Sequence, residues 1–405
     1  MKTFIVTGIQ MRNKGSQAMF LSLYSALKSK YTDCDVVGFA SKYDSPEQYK
    51  FRLLPFDNYT RLLFEYRLQR VPFLASILTY SVSKFRDNDK WAGKISEMER
   101  ALQNADAIFD ASGYALGSGW PKQSGMALLQ TIRIARKYGK KIILMPQSFG
   151  PFDWGEKDDA SFLEQVKEGL TYPSRIYARE KEGYECLTSL GLDNVELSAD
   201  LVIREKLFPT AGDIFYNPEA RVVEYPPRDS VGFIINRNLF RIGDAPAVLE
   251  LYTKILQKLI DTGEKVCILN TSTADIDLVE DILKGVTNRD KLDVITGEYS
   301  SPELIDIISR FKYVVASRYH SVVFAYRSGV PAVILGWASK YDDLAALFQQ
   351  QDYVFDIRSS GVERIITQID TMSANYKVES QRIKESLEII QAGSVVQQAM
   401  SYLQE

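Results

Sequence analysis

The chain has 405 residues, 45% of them hydrophobic and 25% charged, with a formal net charge of −3 at pH 7. That length exceeds one ordinary hydrophobic core, so two domains are expected, and the charge gives no reason to expect nucleic acid, which favours basic domains. Three scattered cysteines, Cys34, Cys186 and Cys267, have no metal-ligand spacing, argue against a disulfide framework and suit a reducing cytoplasm.

The first apolar run, within Met1–Gly8, is too short for a signal peptide and reads as a buried strand. No apolar run approaches the roughly 20 residues needed to cross a bilayer. A cytoplasmic protein is expected, at most peripheral on the membrane.

Strand-like and helix-like stretches alternate almost throughout. Strands are expected at Thr3–Gly8, Asp35–Phe39, Ala107–Asp110, Lys141–Met145, Arg175–Ala178 and Val195–Leu197. A second series covers Val231–Ile235, Lys265–Asn270, Leu292–Ile295, Tyr313–Ser317 and Ala332–Leu335. Helical patterns lie between them at Gln17–Lys28, Met126–Lys137, Lys181–Leu190, Ala247–Thr262 and Pro302–Phe311. Alternation of this kind with β-branched strands implies an α/β fold with parallel sheets covered on both faces. Pro209, Gly212, Pro218, Pro226 and Pro227 interrupt it once. The expected division is a domain over residues 1–206, a linker over 207–230, a domain over 231–376, and a C-terminal helix over 377–405 that returns to the first domain.

Several loops at strand ends hold residues able to bind a ligand. After the first strand, Gly8 to Ala18 is small and polar and opens a helix, so backbone N–H groups there could face an anion. An ordinary βα turn explains it as well. The stretch Arg61 to Arg86 has five basic residues, Arg61, Arg67, Arg70, Lys84 and Arg86, against one acid, Glu65, with large apolar residues between them. An interfacial helix has this composition, as does a buried helix pair with a solvated basic rim. In Asp110–Trp120 the glycines allow close backbone approach to a ligand, and Tyr114 and Trp120 offer sugar-stacking faces; a surface loop is the alternative. Met145–Phe152 carries two prolines and Gln147, and reads as a site wall or a plain turn. Arg179 and Arg237 each place a cation at a strand end, where a surface Arg–Glu pair or a solvated turn is the bland explanation. Asp275 and Asp277 suggest a metal, but a helix cap and an acidic first turn explain them more cheaply. No metal site is expected.

The single histidine, His320, follows Arg318 by two residues where the strand Tyr313–Ser317 gives way to a helix. Histidine titrates near neutrality, and open α/β sheets hold their ligands at such strand ends. A structural histidine capping a helix accounts for the same residues.

Taken in order, these segments resemble the polysaccharide pyruvyl transferase family. The matching pieces are Asn13-Lys14-Gly15-Ser16, the glycine loop Ser112–Gly119, Pro146–Pro151, Ala178-Arg179-Glu180, Ser198-Ala199-Asp200, Ser317–His320 and Ala325–Pro331. Two departures stand out: Ser16 where an aspartate is common, and a less glycine-rich Ser112-Gly113-Tyr114. The resemblance implies two Rossmann-like domains of the glycosyltransferase-B kind with a ligand cleft between them. It also implies transfer of a pyruvate ketal from phosphoenolpyruvate to a sugar of a capsular, exopolysaccharide or cell-wall precursor, normally lipid-linked. Arg318, Tyr319 and His320, with Arg179, would then contact phosphoenolpyruvate, and His320 would be the catalytic acid/base. Arg237 is assigned to the same donor, and Asn13, Gly15, Ser112, Gly113, Tyr114 and Gln147 to the acceptor. Phosphoenolpyruvate is the co-substrate and no resident cofactor is implied. A nucleotide-sugar glycosyltransferase of the same architecture is the rival, and a non-catalytic sugar-binding protein the third reading.

Overall fold

The computed structural model describes residues 1–40, 45–70 and 89–403. Residues 71–86 of the basic–apolar stretch, including Lys84 and Arg86, lie outside the described residues. No helix among the described residues is long and apolar enough to cross a membrane.

The chain forms two compact units, each built on one parallel sheet. The first contains Met1–Leu201, Leu207–Tyr216 and Ser394–Glu405. Its described strands are β1 (Lys2–Ile9), β2 (Cys34–Ala40), β3 (Arg52–Pro55), β4 (Ala107–Asp110), β5 (Tyr114–Leu116), β6 (Ile142–Phe149), β7 (Arg175–Ala178) and β8 (Val195–Leu197). They run in the order β3-β2-β1-β4-β6-β7-β8, with β5 paired to β6. Phe4, Ile5 and Val6 in β1 are fully buried in succession, as a strand covered on both faces requires. β3 and β5 were not anticipated. One is four residues ending in proline and the other three residues inside the glycine loop, too short for alternation to register.

The second unit contains Val202–Lys206 and Asn217–Gly393. Its described strands are β9 (Val231–Ile234), β10 (Val266–Leu269), β11 (Leu292–Ile295), β12 (Tyr313–Ala316), β13 (Ala332–Gly336) and β14 (Val354–Asp356). Their order is β11-β10-β9-β12-β13-β14. The helix Ala245–Asp261 begins with Asp244 capping the Ala247 N–H and buries Val248, Leu251, Ile255, Leu256 and Leu259. Each such side chain contributes roughly 1.5–3 kcal/mol on burial. β14 is a three-residue edge strand and also escaped the sequence pattern.

The proline-bearing stretch is divided between the units. Residues 207–216 lie in the first, where Phe215 stacks on Tyr49 at 5.2 Å, and 217–230 lie in the second. The C-terminal pattern divides too. The helix Val362–Ile390 stays with the second unit, while Val395–Ser401 lies in the first, where Gln398 donates to Glu196 at 2.6 Å.

Candidate functional site

In the second sheet β9 and β12 are neighbours, with β10 beyond β9 and β13 beyond β12. The chain order reverses between them, and open α/β sheets leave a ligand crevice at the carboxyl ends of such a pair. The loop leaving β12 is pinned there from three elements. Asn236 Nδ2 donates 3.0 Å to the Ser317 carbonyl and Tyr341 Oη 2.9 Å to the same oxygen. Tyr252 Oη donates 2.8 Å to Ser317 Oγ and accepts from the Asn236 N–H at 3.1 Å. Burial pushes the Tyr252 phenol well above its ordinary range, so it stays a neutral donor.

This fixed backbone delivers Arg318 at the N-cap of the helix Tyr319–Arg327, in extended conformation. Its Nε and Nη2 lie 2.6 and 2.5 Å from Asp275 Oδ2, and the Asp275 side chain is fully buried. Asp275 Oδ1 accepts the Arg237 N–H at 3.0 Å. The capping role expected of Asp275 is therefore corrected. It stands at a helix N-terminus but makes no side-chain cap, and its two oxygens join the loops after β9 and β12. The Arg237 side chain is half exposed and reaches Asp277 only at 3.5 Å.

His320 is the second residue of its helix. Its ring meets Tyr319 edge-on at 5.3 Å and Phe324 at 6.2 Å. Lys340, at the start of the helix after β13, places its ammonium 5.4 Å from the Tyr319 ring, 5.8 Å from Trp337 and 5.7 Å from Tyr341. Loops after β9, β12 and β13 thus carry Arg237, Arg318, His320 and Lys340 to one end of the sheet. One held guanidinium, two further cations and an imidazole there suit a small, multiply charged anion. Lys340 escaped the sequence reading because Ala-Ser-Lys resembles an ordinary helix start.

Arg327, from the last family-like segment, is structural. It donates 2.6 Å to the Glu205 carbonyl and 2.8 Å to that of Lys206. Burial, opposed by Glu205, lowers its pKa to about 10.

In the first unit the matching reversal lies between β1 and β4. A pocket of about 320 Å³ opens there, lined among others by Gln10, Arg61, Asp110, Ser112, Tyr114 and Gln123. Gly8 makes it possible. At φ +74° it forms the bulge ending β1, and a Cβ would stand 2.1 Å from Ser112 Oγ. Asp110 is 1% exposed and accepts from Thr7 Oγ1 at 2.9 Å, the Ser112 N–H at 3.2 Å and Gln147 Nε2 at 3.2 Å. Gln147 is fully buried and acts on the pocket through Asp110.

The other first-half residues take different places. Asn13 Oδ1 accepts the N–H groups of Gly15 and Ser16 at 3.1 and 3.2 Å, and the Gln17 N–H goes to the Asn13 carbonyl. Two of the N–H groups at the helix start expected to face an anion are thus taken by the Asn13 cap. Gly113 carries the turn between Ser112 and Tyr114. Within the glycine loop, Gly117 and Gly119 pack closely on Tyr114: a Cβ at either would come within 2.6 or 2.7 Å of that side chain. Tyr114 Oη accepts the Gly119 N–H at 3.1 Å and donates to the Gly150 carbonyl at 3.0 Å.

Arg179 sits in a buried network of three family-like pieces. Its Nη1 donates 3.0 Å to Asp200 Oδ2 and its Nε 3.0 Å to Ser148 Oγ, while Ser148 Oγ donates 3.1 Å to Glu180. The described residues hold one close triplet of possible metal ligands, Glu156, Asp158 and Asp159. Lys122 occupies its centre, with Nζ 3.2 Å from Glu156 and 2.5 Å from Asp159.

Sequence reasoning missed Asp110 and Arg61 as well. Asp110 was visible as a carboxylate ending a central strand. Arg61 opens the basic–apolar stretch that reads as an interfacial helix or a buried helix pair with a basic rim, and it lines the pocket.

A family model described as polysaccharide pyruvyl transferase matches residues 13–339. No curated protein matches the chain. Among solved structures, an S. aureus MnaA–UDP co-structure aligns with TM-score 0.55 at 10% identity, covering 97% of this chain and 92% of that one. Trehalose-6-phosphate synthase OtsA aligns with TM-score 0.56 at 11% identity, covering 100% and 99%. The UDP-GlcNAc 2-epimerase of Methanocaldococcus jannaschii aligns with TM-score 0.54 at 11% identity, covering 91% and 92%. At such identities the likeness establishes the two-domain, parallel-sheet α/β fold of the glycosyltransferase-B kind.

Proposed function

Since the chain belongs to the polysaccharide pyruvyl transferase family, we propose that it takes phosphoenolpyruvate as donor and forms a pyruvate ketal on a lipid-linked sugar of a capsular, exopolysaccharide or cell-wall precursor. The observation that carries this reading is the Arg318–Asp275 pair at the β9/β12 reversal, with His320 two residues beyond the arginine. Phosphoenolpyruvate bears a carboxylate and a phosphate, and an oriented guanidinium meets either through a fork of donors. Arg318 keeps its remaining donors for the ligand, Arg237 and Lys340 supply further positive charge, and the Tyr319 N–H lies at the helix start.

His320 gives a proton to the methylene carbon of the enol. The neighbouring carbon becomes electron-poor and receives the first sugar hydroxyl, whose proton leaves. Phosphate departs from that carbon with its bonding electrons. The second hydroxyl adds in its place and closes the ketal. One proton ends on the new methyl group and the other on phosphate, so the sum is one enol phosphate and one diol giving one ketal and inorganic phosphate.

The test is a ligand-shift melt against phosphoenolpyruvate and a panel of nucleotide sugars. Binding at a hundredfold excess over the dissociation constant stabilises by about 2.7 kcal/mol. A shift with phosphoenolpyruvate that is lost in Arg318→Lys supports the reading. Protection by a nucleotide sugar and none by phosphoenolpyruvate overturns it in favour of glycosyl transfer.

A further inference from the structure

The pocket of the first unit contains a cation with a buried donor that its walls leave unsatisfied. Arg61 projects from the helix Asn58–Tyr66, with its guanidinium carbon 4.8 Å from the centroid of the Phe56 ring. Its Nη1 donates 3.0 Å to Asn58 Oδ1, which is neutral, and its Nε is shut off from solvent with no hydrogen-bond partner. Asp110 and Asp57 attract it electrostatically, while Asp110 accepts from three neutral donors and Asp57 from the Thr60 N–H at 3.0 Å. Burial lowers the Arg61 pKa, the mark of a charge held away from water. Arginine does not shed its proton in proteins, so the unsatisfied Nε–H stays a charged donor for an anion entering the pocket.

The remaining walls suit a sugar. Asp110 and the Gln10 and Gln123 side chains offer acceptors and donors for hydroxyls, while Phe39, Phe56 and Leu128 supply apolar faces. The volume of about 320 Å³ is at the lower end of small-molecule sites, about 300–1,000 Å³, and holds a single ring better than an oligosaccharide.

We propose that this pocket selects an acceptor residue bearing an acidic group, a carboxylate or a phosphate, which pairs with Arg61 while the ring hydroxyls meet Asp110 and the neighbouring amides. The proposal rests on the reading of the chain as a sugar-modifying pyruvyl transferase, and assigns the acceptor its charge.

The experiment titrates the full chain with hexuronates of the gluco, galacto and manno series, glucose 6-phosphate and neutral glucose, by ligand-observed NMR. Phosphoenolpyruvate affinity is measured in parallel. At least one acidic sugar is expected to bind more tightly than glucose by about tenfold or more, the ratio of one charge-assisted contact. A uronate preference assigns the anion as carboxylate, and a glucose 6-phosphate preference assigns it as phosphate. Arg61→Met removes the preference and leaves phosphoenolpyruvate affinity unchanged. Ser124→Phe, which keeps Arg61 but fills the pocket from the helix Lys122–Lys137, removes acidic-sugar binding too and guards against misfolding of the first variant. Equal binding of acidic and neutral sugars, no sugar binding, or a preference that survives Arg61→Met overturns the proposal. So does displacement of the sugar by phosphoenolpyruvate, which would give the Arg61 anion to the donor. Loss of phosphoenolpyruvate binding alone, with sugar selection intact, overturns the donor reading and leaves this one standing.

Discussion

Asp275 Oδ2 stands 2.6 Å from Arg318 Nε, so a carboxylate on the loop after β10 holds a guanidinium on the loop after β12. The same carboxylate holds the Arg237 backbone through its other oxygen, at 3.0 Å. One buried acid therefore joins the two loops that carry Arg237 and Arg318.

Asp275→Asn should weaken phosphoenolpyruvate binding although no cation is removed. A hydrogen bond to a charged group contributes about 1.5–3 kcal/mol, so the loss should be on the order of 10- to 100-fold in affinity. Calorimetric titration reads it directly. An unchanged dissociation constant would mean that Arg318 is positioned by the rest of its loop.

His320→Gln should lower turnover by about 10²–10⁴-fold, the usual contribution of an acid–base group, while leaving donor affinity nearly intact. Phosphate release measured against donor concentration separates the two effects. Near-normal turnover on the acceptor would place the proton on another group.

Treatment with a chelator should leave activity unchanged. The close acidic triplet in the described residues encloses the Lys122 ammonium, and Asp275 is committed to Arg318. Loss of phosphate release on chelation, restored by one particular divalent metal, would contradict this and redirect attention to Asp277.

Glu303→Gln should destabilise the second unit more near neutral pH than in acid. Burial alone would raise the Glu303 carboxyl, but Arg221, 2.5 Å away, and the Ser300 N–H and hydroxyl hold it below the usual carboxylate range. A depressed carboxylate adds stability that is present above its unfolded pKa, about 4.3, and lost as pH falls through the folded value. Thermal melts should therefore show a deficit of about 1.5–3 kcal/mol near pH 7 that narrows towards pH 3. A gap of constant size would assign the effect to packing.

Replacing Gly117 with alanine should unsettle the glycine loop. The new Cβ would lie 2.5 Å from the Gly150 carbonyl and 2.6 Å from the Tyr114 ring, so one of them must move. Overpacking of this kind costs about 1–3 kcal/mol, and a melting temperature equal to wild type would show that the loop yields freely.

Much of the fold is written in local pattern. β4, β7, β8 and β11 have the bounds that the sequence suggests, and β4 is buried throughout, as a strand covered on both faces requires. β3, β5 and β14 are not legible: β3 ends in Pro55, β5 lies inside the glycine loop, and β14 follows the short helical turn Gln351–Tyr353 directly, with no turn residue to mark its start. Arg318 and His320 were legible for a different reason: a cation and the single histidine stand at a strand end, and that juxtaposition is contained within three residues.

Their support was not legible. Asp275 is 43 residues from Arg318, and its sequence neighbourhood matches a helix cap as well as an ion-pair anchor. Arg61 likewise shares its sequence with a run of basic residues, yet it lines a pocket with Asp110 because β4 pairs with β1 and the helix Asn58–Tyr66 packs on the helix Lys122–Lys137. The sequence by itself determined the alternation of strands and helices, the family and the cation–histidine loop, because those depend on residues within a few positions of each other. Only the tertiary structure decided which carboxylate holds which arginine and which buried donor is left unsatisfied, because strand order brings distant loops to one edge of a sheet, and burial there sets the cost of an unmade hydrogen bond.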